Sequence, residues 1–328
     1  MKAGRSAVLF LACAALACAA ACARKTVVIE NRYTNGEELK YRLVTRGTGT
    51  TSMTGLPGHA AKSEMPIKMD MELAYKTVVK SVDAQGTAEV EAFFDRFSSI
   101  NESGAFTVRI EADEKGARII QGETVSKDAP GLDGLKTFFA KPMAFTVDKR
   151  GTVLSVTQPG GAGTILPQMD LNIFLKQGQF LLPEGPVTVG HSWDEKRSIS
   201  LGEAMGGKAA GAGSLTLDIR YTLARLVTRG GRNCAEITLR GEMDMKDVAI
   251  NPPGPAAQNL RMKTVFDRLK QTNAGTIFFD LRKGCLVEMH LDTDQDVTMT
   301  MKMANTGAEA KLSTVTKMKT GSDLKLVE

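Results

Sequence analysis

The sequence predicts a mainly β fold with short helices, α+β in class. It is expected to form duplicated curved antiparallel sheets with amphipathic helices on the concave side. Three observations predict this. Apolar residues recur at every second position over long runs, turn residues punctuate those runs, and an ordered set of landmarks appears twice in the 328-residue chain.

The first element lies outside the fold. Lys2 and Arg5 precede an apolar stretch around Val8 to Leu11, and alanines broken by Cys13, Cys18 and Cys22 follow. A charged start, an apolar middle and a small-residue cleavage zone make an export signal over residues 1–21. The stretch resembles a bacterial lipoprotein signal, in which a cysteine after small residues takes the lipid. Cys22, preceded by Ala19-Ala20-Ala21, fits best, although Ala19 stands where leucine is usual. Cys18 is the second choice, Cys13 would leave too short an apolar stretch, and a plain secretory signal cut near Ala21 or Ala23 is the alternative. No later apolar run reaches the ~20 residues of a membrane helix, so the lipid would be the anchor. Residues 22–35 then read as a linker.

The body is expected to fold. Apolar residues make up 42% of the chain, enough for a sizeable core. Without Lys2 and Arg5, the 42 basic residues fall to 40 against 37 acidic ones, a net of +3 with no polybasic run. That balance excludes a nucleic-acid partner from the expectations.

Strands come next. Met69, Met71, Leu73, Tyr75, Thr77 and Val79 alternate, as do Leu215, Leu217, Ile219, Tyr221 and Leu223. Such runs predict half-buried antiparallel strands. Turns are expected at 83–86, 101–104, 113–116, 229–232 and 282–284, where Gly follows Asp, Asn, Arg or Lys. The landmarks fall in the same order twice: 69–94 matches 215–240, Pro130 to Phe139 matches Pro253 to Phe266, and 145–156 matches 277–289. Each half also opens with a similar strand, at 36–41 and 190–193. This order predicts two repeats, 36–182 and 183–328. Within each half the middle landmark changes period: Leu132, Leu135, Phe138 and Phe139, and again Met262, Val265, Phe266 and Leu269, fall at helical spacing. A further helix is expected around 166–176.

The chain resembles a family of uncharacterised bacterial secreted lipoproteins, a domain of unknown function. The resemblance rests on 145–156 (FTVDKRGTVLSV), on Pro183 to Trp193, and on the M-x-M strands, and it covers about residues 36–305. It implies no catalytic residue. More distantly, half-barrel lipoprotein carriers and lipid-transport lipoproteins are similar in expected architecture.

Catalytic constellations are weak. His59, His191 and His290 stand in unrelated contexts without a G-x-S-x-G elbow, and His191 and Ser192 as strand neighbours would point to opposite faces. Asp292 to Asp296 begins like a calcium loop, but Val297 replaces the turning glycine and Met303 the coordinating glutamate, so a solvated turn is expected. The glycine-rich 203–214 has no Ser or Thr after Lys208 and reads as a loop. Cys234 and Cys285 remain after export, each at a strand start, and a disulfide between them is expected because exported thiols oxidise. Methionine is the compositional oddity, with 16 in the chain. Alternation puts the thioethers of Met299, Met301 and Met303 on one face, where they serve adaptable apolar contact. Soft sulfur also suits Cu(I), but no His or Cys completes a site nearby, so neither metal nor cofactor is expected.

The sequence therefore leads to a non-enzymatic, lipid-anchored envelope protein. It would sit on the outer membrane facing the periplasm and touch the membrane through Cys22. An apolar ligand or another envelope protein would meet Met69, Met71, Leu73, Leu215, Leu217, Ile219, Met299 and Met301. The alternative is a structural or protein-interaction module with a closed core.

Overall fold

A computed structural model of the chain describes residues 25–55, 63–128, 132–157, 180–200, 214–250, 262–305 and 308–327. The signal peptide, Cys18, Cys22, the expected helix at 166–176 and the glycine-rich 203–213 lie outside the described residues.

Two strands form a small ladder, β1 (Thr26–Val27) with β10 (Val187–Thr188). The remaining strands belong to one antiparallel sheet. The chain enters it through β2 (Glu38–Thr54), β3 (Ser63–Val82), β4 (Ala88–Ser103), β5 (Phe106–Asp113), β6 (Gly116–Gln121) and β7 (Thr124–Ser126). After α1 (Leu132–Ala140), β8 (Met143–Val147) returns to the start of β4 and carries β9 (Val153–Thr157). The second half adds β11 (Ser192–Ser200), β12 (Ser214–Arg229), β13 (Arg232–Ile250), β14 (Met262–Asp280), β15 (Cys285–Asn305) and β16 (Ala308–Val327). The order is β11-β12-β13-β14-β15-β16-β2-β3-β4-β5-β6-β7. The halves are thus joined edge to edge by β16 and β2, paired from Ser313↔Thr54 to Val327↔Lys40. This gives one open sheet in place of the two sheets expected.

The alternation explains why these strands are long. On β2 the odd residues Tyr41, Thr45, Gly47 and Thr51 are buried, while Lys40, Arg42 and Arg46 are exposed. Register keeps that division across the sheet, because directly paired residues share a face. Arg42–Glu72, Lys68–Glu102, Arg220–Asp194 and Lys319–Asp294 pair on the charged face. These exposed bridges contribute only tenths of a kcal/mol each. Stability comes from the other face, where burying one Leu, Ile or Phe gives about 1.5–3 kcal/mol. Extra residues at Asp95, Asp267 and Val287 break the ladders as bulges, bending the strands without exchanging the faces.

Two clusters flank the middle of that face. One gathers Tyr221, Leu223, Ile237, Ile277 and Phe279 around Ile29 and Leu182. The other gathers Val90, Phe94, Phe97, Phe145 and Met143 under Leu132, Leu135, Phe138 and Phe139 of α1. The helix forms as its spacing predicts, and Phe138 packs against Phe94 with ring centroids 3.9 Å apart and planes tilted by 32°. Within the stretch 22–35 expected as a linker, the described residues from 25 on are tied to the fold: Ile29 is 1% exposed, Asn31 N–H donates to Lys149 O, and Arg32 N–H donates to Gly284 O.

Three further expectations are corrected. Met262, Val265, Phe266 and Leu269 do not form a helix but lie in β14, between β13 and β15. Thr264, Val265, Thr272 and Thr276 favour a strand, and the bulge at Asp267 carries the apolar sequence through a change of parity that imitates helical spacing. Asp292 to Asp296 is no turn; it occupies the middle of β15, with Asp294 bridged to Lys319 on the charged face. Cys234 and Cys285 are free thiols, both buried. Cys234 pairs with Asp280 and Asp280 with Cys285, so a whole strand separates them. Two ladder spacings amount to about 9.6 Å, beyond the ~7 Å Cα limit of a disulfide. Burial, aided by the nearby Asp280 carboxylate, pushes the Cys285 thiol up to about 11, which makes it a poor nucleophile.

Candidate functional site

The apolar face is the candidate site. Strand by strand it can be read as rows crossing the sheet. One row near the packed end runs Leu223–Ile237–Ile277–Met289–Leu324–Leu43–Leu73–Phe97. A second, in the middle, runs Ile219–Gly241–Asn273–Thr293–Thr320–Gly47–Met69–Asn101. A third, farther out, runs Phe266–Met299–Thr314–Met53.

The ligand-contact residues expected from the sequence therefore share one face, although they come from three distant strands. Met69, Met71 and Leu73 lie on β3, Leu217 and Ile219 on β12, and Met299 and Met301 on β15. Of Leu215 only its place in β12, opposite Ile199, is described. Leu73, Leu217 and Ile219 are buried, whereas Met69, Met71, Met299 and Met301 are half-buried. The structure does not gather the eight residues into one pocket. They lie along a broad surface.

That surface also holds residues the sequence reading missed. Met53, Met65, Met289 and Met318 face the same way, each in a single inward slot of an alternating strand. Their parity was the available signal, but it had to be carried through a register that only the paired structure supplies. The middle of the face, moreover, is polar and uncharged. Thr293 Oγ1 and Gln271 Nε2 donate to Asn273 Oδ1 at 2.8 and 3.1 Å. Thr45 bonds Ser322 at 2.9 Å, Thr51 bonds Thr316 at 3.0 Å, and Asn101 Nδ2 donates to Ser99 Oγ at 2.9 Å. From β14 to β4 the described inward positions carry no charged side chain. A band of hydrogen-bonding groups between two apolar clusters differs from the dry, interdigitated filling of a closed core.

The sheet stays open, and each of its edges is protected. β7 has three residues, too few to template another strand. At the opposite edge, Glu195 and Arg197 turn inward beside Ile219 and Leu217 and bridge at 2.7 Å. Tyr221 Oη donates to Glu195 at 2.7 Å and completes the cluster. Inward charge on an edge strand makes a further strand costly to add.

The histidines stand apart. His59 lies outside the described residues. His191 stacks on Trp193 with centroids 6.4 Å apart, while Ser192 Oγ bonds Thr222, so the neighbours do not meet. His290 lies on the charged face with Nδ1 2.9 Å from Asp323 and Nε2 3.3 Å from Asp292. The Asp323 hydrogen bond, foremost, raises its pKa. Two surface depressions, of about 390 and 360 Å³, are lined by residues such as Asp292, Asp294 and Lys319, and Pro183, Val187 and Trp193. Neither touches the methionines of the apolar face.

No protein-family model and no curated protein matches the chain. Among solved structures, lipovitellin, described for its lipid–protein interactions, aligns with 90% of this chain at 10% identity and a TM-score of 0.44. The chain spans 26% of that protein's length. OpdQ of Pseudomonas aeruginosa aligns with 87% of this chain and 98% of its own, at 8% identity and a TM-score of 0.20. A LolA superfamily protein of Nitrosomonas europaea aligns with 90% of this chain and 89% of its own, at 8% identity and a TM-score of 0.13. Scores this low carry no argument about function.

Proposed function

We propose that this chain is a non-enzymatic bacterial envelope protein, anchored by lipid at Cys22, whose apolar sheet face binds an apolar or amphiphilic ligand. One observation carries the reading. Half-buried methionines flank a hydrogen-bonded band on a face whose described inward positions from β14 to β4 carry no charged side chain, while ion pairs such as Arg42–Glu72 and Lys319–Asp294 lie on the opposite side. Methionine re-packs around varied alkyl chains at little cost, and an apolar face of this extent needs a partner. The band would meet ester, amide or hydroxyl groups, which need hydrogen bonds once water is excluded. The anchor and the envelope address rest on the sequence of residues 1–22 alone. A location on the outer membrane, facing the periplasm, belongs to the same proposal.

The test is titration of the purified Cys22→Ser chain with a fluorescent fatty acid. Saturable binding, competed by phospholipid, is expected. Fluorescence that rises without saturation, or that no phospholipid displaces, would favour a structural module with a closed core.

A further inference from the structure

The end of the sheet crossed by the N-terminal arm has a charge pattern that the ligand-binding reading does not use. Asn31 N–H is bonded to Lys149 O and the next residue, Arg32, to Gly284 O, so the arm lies between two turns. Each turn is tied by an aspartate. Asp148 Oδ1 accepts the backbone N–H groups of Arg150 and Thr152, and Asp280 Oδ1 those of Arg282 and Lys283. The acids are thereby drawn inward, Asp280 to 1% exposure, while the basic side chains point out. Lys25, Lys149, Arg282 and Lys283 are exposed and form no ion pair among the described residues. The other arginines here are matched: Arg32 faces Glu30 at 3.6 Å, Arg150 faces Glu184 at 2.7 Å, and Arg232 faces Asp280 at 3.2 Å, while half-buried Glu37, near Cys285, is an acid at this end with no ion pair among the described residues.

The position of this basic collar matters because of what precedes it. Cys22 is four residues before Thr26 of β1. Four residues reach at most about 14 Å. Lipid at Cys22 would therefore hold this end, and not the methionine-rich end, within reach of the headgroups. β3 alone spans about 60 Å at ~3.3 Å per residue, which separates the two ends.

We propose that the arm-crossed end is a docking surface for an anionic phospholipid bilayer, with Lys25, Lys149, Arg282 and Lys283 as the headgroup contacts. Its orientation rests on the lipid-anchor reading of Cys22; its charge recognition does not. Basic side chains beside an anionic surface are attracted within a Debye length, so salt weakens the contact. The far end, with Phe106 68% exposed at a hairpin tip, would then point away from the membrane.

The experiment has two arms. In the first, the Cys22→Ser chain is sedimented with vesicles of phosphatidylcholine alone or mixed with phosphatidylglycerol. Binding to the mixed vesicles only, weakened by salt, is expected. Lys149→Ala, Arg282→Ala and Lys283→Ala should each lower it roughly fivefold, the equivalent of about 1 kcal/mol. The turns survive these changes because the aspartates hold backbone groups. In the second arm, the acylated chain is placed in vesicles with dansyl-labelled headgroups. Trp193, the one tryptophan of the chain, should transfer energy strongly, and Phe106→Trp in a Trp193→Phe background weakly. Equal binding to both vesicle types, no effect of the alanine variants, or stronger transfer from position 106 would overturn the proposal. A chain that lacks acylation but passes the first arm would sink the anchor alone.

Discussion

Gly49→Val should cost at least about 3 kcal/mol, because it forces apart the join on which the single sheet depends. A Cβ at Gly49 would lie 2.1 Å from Lys317 O and 2.9 Å from Met318 Cα. Both are backbone atoms of β16, and neither can rotate away. Valine adds two methyl groups to that clash. Gly47, on the same face, is a milder case, since its Cβ would meet Met318 Cε at 2.6 Å and Thr320 Cγ2 at 2.7 Å, both ends of side chains. Gly47→Ala should cost about 1 kcal/mol. Gly185, with open space around it and no positive φ, provides the neutral comparison, with Gly185→Ala within about 0.5 kcal/mol. Urea unfolding of the three variants checks the order. A fully stable Gly49→Val would mean that β2 and β16 are not paired as described.

Met71→Asp should lower affinity for an apolar probe at least tenfold while leaving the chain folded. Met71 sits between Thr45 and Ser99, at the border of the uncharged band, and is half-buried. In the free protein a carboxylate there keeps water and two hydroxyl neighbours. Covered by an alkyl chain it would lose that water, at a cost of several kcal/mol. Met71→Leu, apolar and close in volume, should bind the probe nearly as the native chain does. The pair separates an open surface from a filled core: a core would be unfolded by the aspartate, as judged by circular dichroism, before any binding could be measured.

Much of this arrangement was legible in the sequence, for definite reasons. Alternation of Met69, Met71 and Leu73 placed them on one face, and Leu132, Leu135, Phe138 and Phe139 marked a helix that does form. Both signals are local and need no partner strand. The helix expected at 262–269 failed for an equally physical reason: a bulge at Asp267 shifts the parity of the apolar residues, and β-branched neighbours favour the strand. The disulfide expectation failed because strand starts that look equivalent along the chain are separated by β14, and ladder order cannot be read from spacing. The uncharged band was hidden for the same reason. Asn273, Thr293 and Thr320 are unremarkable in their own strands and become a row only when paired. The packing of Ile29, in a stretch with the composition of a linker, also needed both halves to be present.

The most direct test of ligand binding on the apolar face is the mass of the native particle. The acylated chain, extracted gently from its own envelope, can be weighed intact under non-denaturing conditions and again after unfolding. The account predicts additional mass of lipid size in the first measurement that is lost in the second, and weaker retention of that mass by Met71→Asp. The same mass before and after unfolding, with Met71→Asp unable to fold, would contradict it and leave a closed structural module.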